Sequence, residues 1–259
     1  MTVDSLFRKR MRIPANEDIT FDKLEYLLEK TAKILPFENL SVIENRNYEI
    51  TKESLINKIL GNNEGGLCYE LNPILYYFLI ENGFNAVLVR GNVYNNDKET
   101  FQQLGRTHVT ILVSHQGRIY LVDTGFGSNL PLKPVPLTGK SVISRNGEFR
   151  IREINNDHGN YMLQIKIKHK HTEWKNGYAF LSNKPIKSIS ELNEVQTTIF
   201  RHQESPFNKS PLFSFFTTNG RKVLTNTHIT QWMNGVMTKE KTENKNFKEV
   251  VKQHFGNYR

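Results

Sequence analysis

At 259 residues, with 35 lysines and arginines against 26 aspartates and glutamates, the chain carries a formal charge of +9 and is long enough for one large domain or two or three lobes sharing a core. Hydrophobic residues at 37%, charged residues at 24%, 16 Phe and 10 Tyr describe a folded globular protein and exclude disorder. No apolar run approaches the roughly 20 residues that cross a bilayer, no stretch of signal-peptide length follows Met1, and a lone cysteine forms no internal disulfide, so a cytoplasmic protein without membrane attachment is expected.

The first third of the chain has a helical period. Thr20 is a predicted N-cap ahead of Phe21, Leu24, Leu27 and Leu28, and Pro36 ends that helix. Thr51-Lys52-Glu53-Ser54 caps a second, with Leu55, Ile56, Ile59 and Leu60 apolar until Gly61-Asn62-Asn63. A third carries Leu67, Leu71, Leu75, Phe78 and Leu79 at three- and four-residue intervals and stops at Asn82-Gly83, with Pro73 expected near its start. The single cysteine, Cys68, stands where Gly65-Gly66 runs into this helix. Glycines allow close backbone approach, and the free N–H groups and positive dipole of a helix start favour an anionic sulfur. A small buried hydrophobe is the competing reading of the same residue.

From Ala86 the period becomes two. Ala86 to Tyr94, Thr107 to Val113 and Arg118 to Asp123 read as strands, the last two joined through Ser114-His115-Gln116-Gly117 as a hairpin. Asn146-Gly147, Asn176-Gly177 and Asn219-Gly220 are turn signals between strand-like runs and imply a mostly antiparallel sheet or barrel. Lys166 to His171 alternates like a strand, with Lys166, Lys168 and Lys170 on one face and Ile165, Ile167, His169 and His171 on the other. That is read as a solvated basic face. No aromatic platform or recognition helix accompanies it, so no nucleic-acid partner is expected, and His169 and His171 lack a third ligand, so no metal is expected. The positive charge suits a phosphate-bearing partner. From about Ser190 the pattern is mixed, with Leu224 to Met237 and Asn246 to Phe255 as helix candidates. The expected division is a helical domain over 1–85 holding the cysteine, a β-domain over 86–190 and a smaller α/β unit over 191–259.

Two strand residues bear on the cysteine. If the hairpin of Thr107 to Val113 and Arg118 to Asp123 packs its end against the cysteine helix, Cys68, His108 and Asp123 converge as nucleophile, base and orienting carboxylate. His108 is otherwise a core or edge histidine, and Asp123 a turn residue before Thr124-Gly125.

Pro36-Phe37-Glu38-Asn39-Leu40, Gly65-Gly66-Leu67-Cys68-Tyr69-Glu70-Leu71-Asn72, Thr107-His108-Val109, Val122-Asp123-Thr124-Gly125-Phe126-Gly127 with Pro131, and Ser205-Pro206-Phe207 run through most of the chain in one order. In these the chain resembles the arylamine N-acetyltransferases of the bacterial type. The resemblance implies an α+β fold: an N-terminal helical bundle, a central antiparallel β-barrel and a C-terminal α/β lid, with a papain-like Cys-His-Asp triad at the junction. It implies that Cys68, His108 and Asp123 are that triad. It implies also that acetyl passes from acetyl-CoA to Cys68 and then to an arylamine, arylhydrazine or N-hydroxyarylamine by a ping-pong route. By family position Phe37, Val93, Thr107 and Phe126 are expected to bind the aromatic substrate. Gly125, Phe126, Gly127, Ser128 and Phe207 are expected to contact the coenzyme.

The chain departs from this pattern where Glu64 stands in place of the arginine that usually precedes the two glycines. A buried reversal of charge needs a compensating lysine or arginine unless Glu64 points to solvent, and a carboxylate beside the nucleophile is expected to slow acetylation. Papain-like peptidases and transglutaminases share the order Cys, His, then Asp or Asn, but lack these glycine and Pro-Phe-Glu-Asn-Leu motifs. A related amide synthase using another donor or acceptor, and an inactive coenzyme A-binding relative, are the alternatives the sequence leaves open.

Overall fold

The structure is a computed structural model describing residues 2–242 and 246–256. Ahead of the first long strand lie α1 (Val3–Met11), α2 (Leu24–Ile34), α3 (Leu40–Ile43), α4 (Lys52–Leu55) and α5 (Cys68–Glu81), with a two-residue strand β1 (Phe37–Glu38) between α2 and α3. α5 is the axis of this half. Leu71, Ile74, Leu75, Phe78 and Leu79 are fully buried along it, and Phe7 of α1 stacks on Phe78 with ring centroids 4.3 Å apart. Each such side chain contributes about 1.5–3 kcal/mol of hydrophobic stabilisation. The cap at Thr51 forms as the sequence indicates: Ser54 N–H donates to Thr51 Oγ1 (3.0 Å) and Thr51 N–H to Ser54 Oγ (2.9 Å). Beyond Leu55 the helix widens into a π-helical turn over Ile56–Gly61, and Lys58 within it is buried. Thr20 precedes a short 3₁₀ turn, Phe21–Lys23, and makes no side-chain cap. Pro73 sits in the second turn of α5.

The middle of the chain forms one antiparallel sheet. Its strands are β2 (Asn85–Asn95), β3 (Thr100–Phe101), β4 (His108–His115), β5 (Arg118–Val122), β6 (Val135–Pro136), β7 (Val142–Ser144), β8 (Gly147–Asn156), β9 (Gly159–Ile167) and β10 (Lys175–Pro185). The spatial order is β6-β5-β4-β2-β10-β9-β8-β7, with β3 added to the end of β2. β6, at one edge, packs on β8 near the other, so the sheet curls almost into a closed barrel. Alternation sorts β4: Val109, Ile111 and Val113 join the helical core, while Leu112 joins Leu121, Phe149, Leu163 and Phe180 inside the barrel. His108 has the parity of Leu112 and lies at the barrel mouth.

A second sheet, ordered β1-β11-β12-β13-β14, is built from β11 (Leu212–Thr217), β12 (Gly220–Thr225), β13 (His228–Met233) and β14 (Val236–Lys241), with β1 paired to β11 at its edge. α6 (Ser190–Arg201) turns Leu192, Val195 and Ile199 into the helical core, and α7 (Phe247–Phe255) covers Phe213 and Phe215 with Val250 and Val251. Asn246 caps α7 through Lys248 N–H (3.0 Å).

Three sequence expectations are corrected. Leu224 to Met237 is not a helix: it spans the end of β12, all of β13 and the turn into β14. Asn234 and Gly235 both take positive φ, as a two-residue hairpin turn requires, and Met233 pairs with Val236 across them. Asn176-Gly177 is no turn but a bulge inside β10. Gly177 is there for contact, since a Cβ on it would come within 3.1 Å of the Leu163 carbonyl and 3.3 Å of the Phe126 ring. The basic alternation ends at Ile167, because His169 turns to a φ of 63° and the chain leaves the sheet, so Lys168, His169, Lys170 and His171 share no strand face.

Asn39 fastens the second sheet to the first half. Its Nδ2 donates to the carbonyls of Phe207 (2.8 Å) and Ser210 (2.9 Å), and its Oδ1 accepts Leu212 N–H (2.7 Å). Asn39→Ala leaves these three backbone groups without partners and is expected to lower the unfolding free energy by about 2 kcal/mol or more, read from urea denaturation.

Candidate active site

Cys68 is the first residue of α5 and is 5% exposed. The helix starts there because Glu70 reaches back to take the Leu67 N–H on Oε2 (2.9 Å). The preceding glycines are packed against backbone: Gly66 donates to the Pro36 carbonyl (3.2 Å) and accepts from Glu38 N–H (3.0 Å). A Cβ on Gly65 would stand 2.2 Å from the Pro36 carbonyl oxygen. Two residues of β1 thus hold the cysteine loop by strand-like pairing.

Across the junction, His108 Nε2 donates to Asp123 Oδ2 at 2.8 Å. Burial opposes a charge on this imidazole, but the Asp123 carboxylate and the Cys68 sulfur, both hydrogen-bonded to the ring, outweigh it and raise His108 to about 10. Burial likewise opposes the Asp123 charge, yet His108, Asn72 and Tyr178 hold that carboxyl below its usual range. Cys68 Sγ lies 3.5 Å from the Thr107 carbonyl oxygen. The three residues read from the sequence therefore meet, in the order thiol, imidazole, carboxylate.

Asn72 and Tyr178 complete the cluster, and sequence reasoning did not nominate either. Asn72 Nδ2 donates to Asp123 Oδ1 (2.9 Å) and the Val109 carbonyl (2.7 Å), and its Oδ1 accepts Thr124 N–H (3.0 Å). Tyr178 OH donates to Asp123 Oδ2 (2.7 Å). Asn72 was within reach of the sequence, since it stands one helical turn beyond Cys68 on the same face. Tyr178 was not, because it follows the Asn176-Gly177 pair, which reads as a turn.

The residues nominated for ligands fall around this cluster. The Phe126 ring is edge-on to His108 (5.1 Å) and Tyr178 (5.0 Å). Val93 lies opposite Tyr178 in the sheet, and Thr107 precedes His108 with its carbonyl on the sulfur. Phe37 meets Phe207 edge-to-face at 5.8 Å. A Cβ on Gly125 would come within 2.6 Å of the Cys68 Cα, so only glycine lets this loop lie on the nucleophile. Gly127 takes a φ of 58° at the start of a 3₁₀ turn with Ser128.

An N-acetyltransferase family model matches residues 20–257. The chain belongs to the arylamine N-acetyltransferase family. It is 39% identical over 240 residues to an uncharacterized acetyltransferase, YvcN, of Bacillus subtilis, covering 92% of each chain. Arylamine N-acetyltransferase C of Bacillus anthracis superposes with a TM-score of 0.92 at 38% identity, over 100% of this chain and 99% of that one. An arylamine N-acetyltransferase of Bacillus cereus does so with 0.91 at 37% identity, over 99% and 98%. The latter is described by a unique Cys-His-Glu catalytic triad, whereas the carboxylate on His108 of this family member is an aspartate.

The departure at Glu64 has its compensation in Arg46. Glu64 is buried, and Arg46 places Nη1 and Nη2 each 3.1 Å from Glu64 Oε2. Beneath it, Lys58 Nζ lies 2.5 Å from Glu70 Oε1 and 3.9 Å from Glu38 Oε1, and Tyr48 OH also donates to Glu70. Burial opposes the Lys58 charge, but Glu70 and Glu38 outweigh it and hold the amine above the usual lysine range. An arginine at 64 would face both cations, so Glu64→Arg is expected to melt several degrees below the native chain by differential scanning calorimetry.

The His108–Asp123 pair has a pH signature. With His108 raised from 6.5 to about 10, its contribution to stability is complete below 6.5 and is lost as the pH rises through about 10. In NMR titration the His108 ring protons are expected to keep imidazolium shifts through neutral pH and to move near 10. Asp123→Asn should bring that midpoint down toward the ordinary value.

Proposed function

We propose that the protein transfers acetyl from acetyl-CoA to an aromatic amine or hydrazine through a thioester on Cys68, with O-acetylation of N-hydroxyarylamines as a further outcome of the same site. The observation that carries this is the buried arrangement of Cys68, His108 and Asp123 at a helix start, in a chain of this family. A coenzyme A complex of a Mycobacterium marinum arylamine N-acetyltransferase, 23% identical, shares the fold.

In the first step the Cys68 sulfur attacks the acetyl carbonyl of acetyl-CoA while His108 carries the proton as imidazolium. The Cys68 N–H, at the open end of α5, makes no hydrogen bond among the described residues and is the natural donor to the tetrahedral oxyanion. The intermediate collapses by breaking the carbon–sulfur bond to coenzyme A, whose thiolate takes the proton from His108. In the second step the amine attacks the acetyl-Cys68 carbonyl, His108 takes its proton, and the Cys68 thiolate leaves. Asp123 stays ionised throughout and keeps the imidazole oriented, held by Asn72 and Tyr178.

Phe126, Phe37 and Val93 are taken to orient the acceptor ring, with Thr107 beside His108. Small residues at Gly125, Gly127 and Ser128, with Phe207 opposite Phe37, give the coenzyme backbone room beside the sulfur. A Glu64 screened by Arg46 slows acetylation less than a bare carboxylate would. Among the described residues no helix is long and apolar enough to cross a membrane and no three metal-ligating side chains cluster. The same proposal takes the protein to be a cytoplasmic enzyme of three lobes, acting without metal.

Brief mixing with acetyl-CoA and no acceptor is expected to add one acetyl mass, mapped to Cys68 by digestion and absent from Cys68→Ala. An added arylamine should discharge it, and steady-state double-reciprocal plots should be parallel. An adduct elsewhere, or none in protein shown to bind coenzyme A, overturns the reading.

A further inference from the structure

Four hairpin connections of the two sheets converge away from the cysteine helix: Arg145-Asn146 between β7 and β8, Lys168-His169 after β9, Thr218-Asn219 between β11 and β12, and Asn234-Gly235 between β13 and β14. They enclose a cavity of about 520 Å³ that also takes in Arg221, Phe216 and Trp232.

Arg221 is 5% exposed and belongs to none of the ion pairs among the described residues. Its Nη1 donates to Asn146 Oδ1 (3.1 Å), its plane lies over the Trp232 ring at 4.4 Å, and its Nη2 is buried with no partner. Arg145 also lines the cavity. Its Nη1 donates to the carbonyls of Thr217 (2.7 Å) and Thr218 (3.2 Å), its Nε lies 3.4 Å from Glu29 Oε1, and its Nη2 too is unpartnered. Lys168 stands exposed at the rim. Burial alone brings Arg221 down to about 10, and burial together with the charges of Lys170, Lys175 and Arg221 holds nearby His171 down at about 4.

A guanidinium withdrawn from water without a carboxylate is costly, and two guanidinium side chains lining one cavity, each with an Nη2 left unpartnered, are donors that suit a tetrahedral oxyanion. A buried position on β12 beside Trp232 would accept an apolar residue at less cost. The retained charge implies a counter-charge supplied from outside the chain, and the Trp232 and Phe216 rings leave room for a group attached to it.

We propose that this cavity is a binding site for a phosphoryl group, held by Arg221 and Arg145, distinct from the thiol site. Asn146 connects the two regions: the same side chain that accepts from Arg221 donates through Nδ2 to the carbonyls of Ser128 (3.1 Å) and Leu130 (2.9 Å). An anion on Arg221 therefore bears on the loop that carries Phe126 against His108. The phosphoryl group comes either from the nucleotide end of coenzyme A, which rests on the function proposed above, or from free phosphate, which does not.

The test uses the full chain carrying Cys68→Ala, so that no acyl transfer enters the readout, with Trp174→Phe added to leave Trp232 as the reporter. Inorganic phosphate, coenzyme A and 3′-dephospho-coenzyme A are titrated against Trp232 fluorescence, with chloride at equal ionic strength as control. Saturable change with inorganic phosphate assigns the site to free phosphate. Change with coenzyme A that weakens about tenfold for the dephospho form assigns it to the nucleotide end. Either is expected to weaken about tenfold or more in Arg221→Met and in Arg145→Gln, with Arg221→Lys intermediate because it keeps charge without the fork. Circular dichroism verifies that each variant is folded, and Arg145→Gln carries the test if position 221 tolerates no change. No saturable change with any of the three, or equal affinities in the native and Arg145→Gln chains, overturns the site. Normal acetylation of Cys68 in the native chain alongside such a failure leaves the proposed function standing.

Discussion

The buried carboxylate of Asp123 is the point on which the architecture turns. It receives His108 from β4, Asn72 from α5, Tyr178 from β10 and the N–H of Gly125 from its own loop at 2.7 Å. Helical core, barrel and glycine loop are registered against one another through a single ionised group. An ionised carboxylate in such a place is tolerable only because its lone pairs are taken by donors, one of them a cation. The same saturation fixes where the imidazole ring lies, so the requirement that stabilises the junction also aims the imidazole at the thiol. Positioning and folding are one constraint here, which is why the cluster is assembled from several elements rather than one loop.

A second buried polar layer lies beneath the cysteine loop. Glu70 caps the start of α5, anchors Lys58 and receives Tyr48, while Glu64 takes Arg46 from the segment after α3. In this layer the carboxylate at 64 is met by a cation of the same chain and is not left as an isolated charge. A positive group beside the two glycines is exchanged for a negative one, and the balance is restored from the far side by Arg46. The loop geometry survives because the glycines, not the charge, set its approach to Pro36 and Glu38.

Much of this was legible beforehand, for physical reasons that differ by element. The apolar spacing of α5, the cap at Thr51 and the alternation in β4 and β5 are local signals, and each element formed where its pattern lies. Cys68, His108 and Asp123 were legible because a reactive thiol needs a helix start, a base and a carboxylate, and the chain offers one cysteine. Tyr178 was hidden, because its role arises from the pairing of β10 with β2, a contact between segments more than 80 residues apart in places. Gly177 misled for a related reason: a glycine required by a crowding neighbour looks the same in sequence as one required by a turn. The stretch from Leu224 failed because its apolar residues fit either period, while the deciding Asn234-Gly235 pair was passed over. Arg221 carried no signal at all, since what matters there is the absence of a carboxylate partner among the described residues.

β1 has only two residues, yet it is flanked on both sides: Phe37 bridges Gly66 in one direction and faces Ser214 of β11 in the other. The C-terminal sheet consequently borrows its outermost strand from a segment synthesised 177 residues earlier, a separation given by the pairing of Phe37 with Ser214. During synthesis the helices and the cysteine loop can settle first and present β1 as a waiting template. The reverse order has no such guide. A C-terminal fragment released on its own would display the bare edge of β11, with alternating phenylalanines along it, to any strand in solution. β1, held by the cysteine loop on one side, thereby closes the edge of the C-terminal sheet on the other, and damage to either end of the chain would be felt at the other.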